Sequence, residues 1–373
     1  MRRFGLLLIL LVTLSFITGC WDQLLLKDTN ILFIAGTDLG KNGEYEGTVS
    51  ISKPGVNGTG KAKIVTGKGN TLRATRMDID SKVSGILDSS KIKVLLIHEE
   101  LAKIDLYPIL DLYYRDPRAP LNARIAITKD LSNKLINLQV EGESLISDYF
   151  YELIKGAEVN SVVPKRNIQF ICPIMVDPGR DFSLPLIMLN NIKEEELAQI
   201  AGTALFDGKK MSGELNREES LMVNLLNNKK AKRARFTVKI ADEKRELEAL
   251  NYITFEVSDF TSKLNVKAHS ENNVEANFQL KLYLNVLEYP PDGLGDRDSA
   301  LKLNRKIGEE LTTLATTTIQ KLQNANCDYF GIGREIIAYH NHAWNEKRWK
   351  EIYSTMPIKI QLDVEIIQHG IIN

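Results

Sequence analysis

Cysteine, net charge and catalytic motifs are all scarce in this chain. Three cysteines stand among 373 residues, too few for the disulfide framework of small exported domains. Beyond residue 17 no apolar run approaches the roughly 20 residues that a helix needs to cross a bilayer core, which excludes a later spanning helix. Lys and Arg total 48 and so do Asp and Glu; without a basic field, no nucleic-acid partner is expected. No GxSxG or HExxH occurs, and no nucleophile–base or carboxylate pair stands out. Neither enzymatic activity nor a metal or nucleotide cofactor is therefore expected. There is no internal repeat and no low-complexity tract. The apolar content of 43% is ample for folded cores, and the length suits two or three domains.

What is present begins at the N-terminus. Arg2 and Arg3 precede residues 4–17, an apolar run interrupted only by Gly5, Thr13 and Ser15. A basic start, a short apolar core and small residues after it make a secretory signal, not a span. The exit, Ile17-Thr18-Gly19-Cys20, resembles the lipobox of bacterial lipoproteins: a branched apolar residue, two small residues, then cysteine. That resemblance implies a diacylglyceryl group on the Cys20 sulfur and cleavage before it, with Thr18 and Gly19 keeping the protease subsite uncrowded. Loss of residues 1–19 leaves 354, with a charge near −2. One acyl chain holds a protein marginally and two hold it stably, at about 0.8 kcal/mol per buried methylene. The expected mature chain is anchored to the outer face of a membrane and does not span it. Cys172 and Cys327 remain; their flanks "FICPIM" and "NANCDYF" read as packed core, so two unpaired, buried thiols are expected.

The pattern predicts an α+β, multidomain protein: mixed α/β layers, several small sheets flanked by helices, and an unusual topology. "ILFIAGTDLG", "YEGTVSISKP", "KIKVLLIHEE" and "LNARIAITKD" read as strands. Between them, a helix capped by Asn70 carries Leu72, Ile79, Val83 and Ile86 on one face. "LYPILDLYYRDP" is a short helix stopped at Asp116-Pro117, and helices follow near 131–138 and 144–155. The alternation of helix and strand suggests one mixed domain over 20–195. The second half, 196–373, opens on a hairpin at Asp207-Gly208, followed by a helix over 217–227. It contains an alternating strand with Phe278, Leu280, Leu282, Leu284 and Val286 on one face. A helix over 297–324 buries Leu303, Ile307, Leu311, Leu314 and Leu322, and a final strand alternates from Ile358 to Ile366. A further division near 230 gives three domains.

Few side chains invite chemistry. His340 and His342 form an HxH in a helical-looking stretch, where they point apart, and no further ligand is evident. "GIGRE" at 331–335 lacks the third glycine and the preceding strand of a dinucleotide loop, so its glycines are read as a turn between helices. "TGKGNT" at 66–71 lacks the spacer of a P-loop. Trp344 and Trp349 are read as core. The run Lys229, Lys230, Lys232, Arg233 and Arg235 has two readings: a solvated connector, or a contact with anionic lipid headgroups at about 1 kcal/mol per basic residue.

Four segments in order resemble one family. They are "GCWD" at 19–22, residues 67–130 from "GKGNTLRATRMDID" to "ARIAITKD", "GTALFDGKKMSGELNREES" at 202–220, and "DYFGIGREI" with a following Trp and a final strand ending in Gly370. The chain is similar along essentially its whole length to the spore germination lipoproteins of Ger(x)C type, the C subunits of nutrient germinant receptors. One departure is Gln23-Leu24-Leu25, where the family often has a basic–acidic pair. The resemblance implies a non-catalytic, lipid-anchored subunit on the outer face of the spore inner membrane. It implies assembly with two integral membrane subunits and a need for the complex in the germination response to nutrients. No ligand-contacting residue carries over; Leu72, Ile79, Val83 and "RDP" at 115–117 look like packing and turn determinants. The alternative is a solute-binding lipoprotein feeding a transporter, which would show two similar βαβ lobes around a cleft.

Overall fold

The computed structural model describes Gly5 and residues 29–52, 62–192, 195–292 and 294–368. Apart from Gly5, the leader lies outside the described residues, as do Cys20 and Gly370. The strands gather into two sheets, one of nine strands and one of four, in an α+β layout.

The large sheet begins with a meander of β1 (Thr29–Leu39), β2 (Tyr45–Ser52) and β3 (Lys63–Gly69). Helix α1 (Leu72–Asp80) follows, then the short β4 (Ile86–Asp88) and β5 (Val94–His98). Next come α2 (Glu99–Ile104), α3 (Tyr107–Arg115), β6 (Arg124–Thr128), α4 (Ser132–Ile136), α5 (Ile146–Val159) and α6 (Ile168–Met175). Strands β7 (Ser183–Ile192), β8 (Glu195–Asp207) and β9 (Lys210–Asn216) complete it. The spatial order is β3-β2-β1-β5-β6-β7-β8-β9, with β4 beside β1. Its centre, β1-β5-β6-β7, is parallel and its flanks are antiparallel. Parallel strands covered on both faces carry continuous apolar runs. "VLLI" of β5 accordingly sends Leu95 and Ile97 to one core and Val94 and Leu96 to the other.

Helix α7 (Arg217–Leu226) leads to the small sheet. This is built from β10 (Arg235–Lys239), β11 (Tyr252–Ser270) and β12 (Asn273–Glu288). Helices α8 (Arg297–Asn324), α9 (Ile332–Tyr339) and α10 (Trp349–Thr355) follow, and β13 (Ile358–Gln368) pairs parallel to β12. Leu303, Ile307 and Leu311 of α8 and Phe278, Leu280 and Leu282 of β12 share one core, as their spacing predicts; Leu314 is only partly buried against it.

Some expectations are corrected. Helix α1 is capped by Thr71, whose hydroxyl accepts from the Ala74 amide at 3.1 Å, not by Asn70. It stops at Asp80, so Val83 and Ile86 are not on it; Gly85 at φ +93° turns the chain, and Ile86 starts β4 and is exposed. Leu72, Ile79 and Val83 nevertheless pack into one core. Cys172 and Cys327 are unpaired; Cys327 is buried, but Cys172 is only half-buried. The division at 195/196 falls at the first residue of β8, which pairs antiparallel with β7, so the large sheet holds strands from both sides of it.

Candidate functional site

Among the described residues, no group of three metal-ligating side chains comes together. His340 and His342 sit at the end of α9 and in the turn after it, with ring centres 6.3 Å apart. Gly331 adopts φ +73° as the cap of α9, the turn role expected of it. Trp349 is buried and Trp344 packs partly buried against the same core.

What the fold does assemble is a buried charged junction between the two sheets. Asp181, just before β7, is 3% exposed. Its carboxylate accepts from the Gly208 amide (2.7 Å), the Asp328 amide (2.8 Å) and Lys350 Nζ (2.6 Å). Lys350, on α10, also donates to the Asn326 carbonyl (2.9 Å) and bridges to Asp207 (2.7 Å) in the β8–β9 turn. Asp328 is fully buried and accepts from the Ile332 and Gly333 amides (2.9 and 2.8 Å), which closes the N-terminus of α9. Helix N-termini favour a carboxylate there, yet burial dominates and pushes the Asp328 carboxyl up to about 7. Burial also raises Asp181, against the pull of Lys350. For Lys350 burial opposes the charge, but attraction to Asp181 and Asp207 outweighs it and raises the ammonium above its ordinary value. Burial holds the Cys327 thiol well above its usual range, so it stays protonated and is no nucleophile. The arrangement therefore supplies cohesion between remote segments rather than chemistry.

A second polar seam pins the basic run. Ser161 Oγ donates to the Arg233 carbonyl (2.6 Å) and accepts from the Ala231 amide (2.8 Å). The Arg233 amide donates to the Val159 carbonyl (3.0 Å). Of the five basic side chains, Lys230 donates to the Ser258 carbonyl (3.1 Å) and Arg235 pairs with Glu256 (2.6 Å). Lys229, Lys232 and Arg233 are exposed and extend from a fixed backbone.

A cavity of about 70 Å³ lies under β1 and β2, closed by α1 and α3. Leu32, Val49, Ile79 and Leu112 make its apolar wall, and Arg76 and Tyr113 its polar end. Arg76 is held by the Leu87 carbonyl (2.8 Å) and Ser89 Oγ (3.1 Å). Burial pushes Tyr113 up to about 12, so its hydroxyl is a neutral donor. Such a volume admits a few non-hydrogen atoms. Neither the junction nor the cavity was visible in the sequence, because their residues come from distant segments and follow no motif.

Comparison with known proteins places these features in context. Residues 22–189 match the model of the spore germination protein N-terminal domain, and residues 201–370 match the spore germination B3/GerAC-like C-terminal model. The chain is 26% identical over 372 residues to the spore germination protein GerQC of Bacillus cereus, covering 100% of this chain and 99% of that protein. It is 21% identical to the putative spore germination protein YfkR of Bacillus subtilis (strain 168), covering 95% and 94%. The crystal structure of the GerBC protein superposes with a TM-score of 0.59 at 15% identity, over 90% of this chain and 97% of that one.

Proposed function

This chain belongs to the spore germination family of Ger(x)C type, and from that premise we propose that it is the lipid-anchored, non-catalytic C subunit of a nutrient germinant receptor. The observation that carries this reading is the order of parts. A basic and then apolar stretch over residues 2–17 is followed by Thr18-Gly19-Cys20, the match to the first family domain begins at Asp22, and the match to the second runs to residue 370. The tether is then a diacylglyceryl group on Cys20, directly ahead of the folded domains. No described helix is long and apolar enough to cross a membrane, which is compatible with anchoring by lipid alone.

In this reading the chain sits on the outer face of the spore inner membrane and docks on two integral membrane subunits. The assembly is needed for germination in response to nutrients. The charged junction supports the role mechanically, since it joins β7, the β8–β9 turn, the α8–α9 link and α10 into one unit. The exposed Lys229, Lys232 and Arg233 are suited to anionic headgroups, with Lys230 and Arg235 held back by their own partners.

The test is genetic. Spores lacking this chain are expected to lose a nutrient response while germinating normally with a trigger that bypasses receptors. An unchanged response to every nutrient tried would count against the reading and favour a solute-binding lipoprotein.

A further inference from the structure

We propose that the cavity under β1 and β2 is a binding site for a carboxylate with a short apolar tail, held at its charged end by Arg76 and Tyr113. Leu32, Ala35, Val49 and Ile79 in its wall are buried, and Leu112 is half-buried. Arg76 on α1 and Tyr113 on α3 line the same space. A guanidinium presents a planar fork of N–H donors. Arg76 spends one nitrogen on Ser89 Oγ and another on the Leu87 carbonyl, which fixes the fork and leaves N–H groups unused. Tyr113 is only 9% exposed, yet its hydroxyl makes no hydrogen bond with a described residue. Burial raises this phenol against the pull of the Arg76 charge, so the two groups stand at one end.

Charge and size select the ligand. The only acid lining the cavity is Asp116, which faces Arg73 at 3.8 Å and accepts from the Arg118 amide at 3.0 Å. Arg73 and Asp116 offset each other, and among the described residues no carboxylate pairs with Arg76. A cation against an apolar wall favours a counter-charge, because little water is there to solvate it. A monoanion balances Arg76, whereas a phosphate dianion would bring excess negative charge among the apolar side chains. An ammonium group would find Asp116 already engaged, so a plain acid fits better than an amino acid. The two oxygens of a carboxylate can accept from Arg76 and Tyr113 together, while the tail leaves water for Leu32, Val49 and Ile79. A volume of about 70 Å³ holds the tail to a few carbons. The site lies within one chain and goes beyond the receptor role, so it is tested without partner subunits.

Ligand-observed NMR titration of the purified full-length chain with isobutyrate, at constant ionic strength, tests this. Saturable binding is expected with a Kd on the order of 1 mM. Isobutyramide, of the same shape but neutral, should bind at least about tenfold more weakly. Tyr113→Phe removes a hydroxyl with no partner in the fold, so it should keep the native melting temperature and weaken isobutyrate about fivefold. Ala119→Leu should block binding by filling the cavity, and Arg76→Gln should weaken it more than about tenfold, each with the fold checked by circular dichroism. No saturable binding by the native chain up to about 20 mM, isobutyramide binding as tightly as isobutyrate, or native affinity in both Tyr113→Phe and Ala119→Leu would each overturn the proposal.

Discussion

Lys350 satisfies Asp181, Asp207 and the Asn326 carbonyl with one ammonium. Removing it strands a buried carboxylate. Breaking a fully buried pair costs several kcal/mol, but Lys350 is about a third exposed and solvent screens part of that. Lys350→Ala is expected to lower unfolding stability by about 2 kcal/mol in denaturant titration. Asp328 sets a pH dependence of definite sign. Its carboxyl titrates near 7 in the fold, against 3.8 as its ordinary value. The folded state thus binds more protons between those values, and the stability this confers at low pH is lost as pH rises through about 7. Asp181 is raised too and acts in the same direction. The melting temperature should therefore fall between about pH 5 and pH 7.5, and Asp328→Asn should flatten that slope. None of this was legible in the sequence. Asp181 and Lys350 stand 169 positions apart and look like any of the 96 charged residues. The expectation at Cys20 rests on local sequence, where export and processing signals are read, and the folded junction has no such local signal.

Elements were legible where one local rule governs them. Asp207-Gly208 makes the β8–β9 turn, with Gly208 at φ +57°. Helix α7 begins with a capping box, in which Asn216 and Glu219 each accept from the other's amide at 2.9 Å. Asn216→Ala should cost about 1 kcal/mol, measured by denaturant titration. The 19-residue β11 was missed as an element, and a register shift between Val257 and Asp259 explains why. Ile253, Phe255 and Val257 share one parity, while Phe260, Leu264 and Val266 have the other, so no single alternation spans the strand. Close helix contacts were equally hidden. A methyl on Gly333 would lie 2.8 Å from Trp349 Nε1 and 2.9 Å from Gly179 Cα, both in packed surroundings. Gly333→Ala should therefore lower the melting temperature, with a cost of about 2 kcal/mol, whereas Gly142→Ala meets open space and tests only the φ +82° backbone there.

At the scale of the whole molecule, β8 couples the two sheets. Ala204 and Phe206 pack into a core of the large sheet, and Leu205 into the core of the small one. The sequence pattern showed mixed layers and a change of character in the second half. It did not show that β7, β8 and β9 extend the first sheet, because strand order depends on pairings between segments far apart in the chain. Two sheets of different size and topology also lack the paired lobes that a solute-binding protein would present. The function proposed for this assembly depends on a rigid body held at a membrane by one lipidated residue. The most direct measurement is nutrient-triggered germination of spores whose sole copy of the chain carries Cys20→Ala, with a receptor-bypassing trigger as control. Loss of most of the nutrient response, with the bypass response intact and the chain gone from the membrane fraction, is expected. A full nutrient response from spores in which the chain is no longer membrane-bound would contradict the tethered-subunit reading.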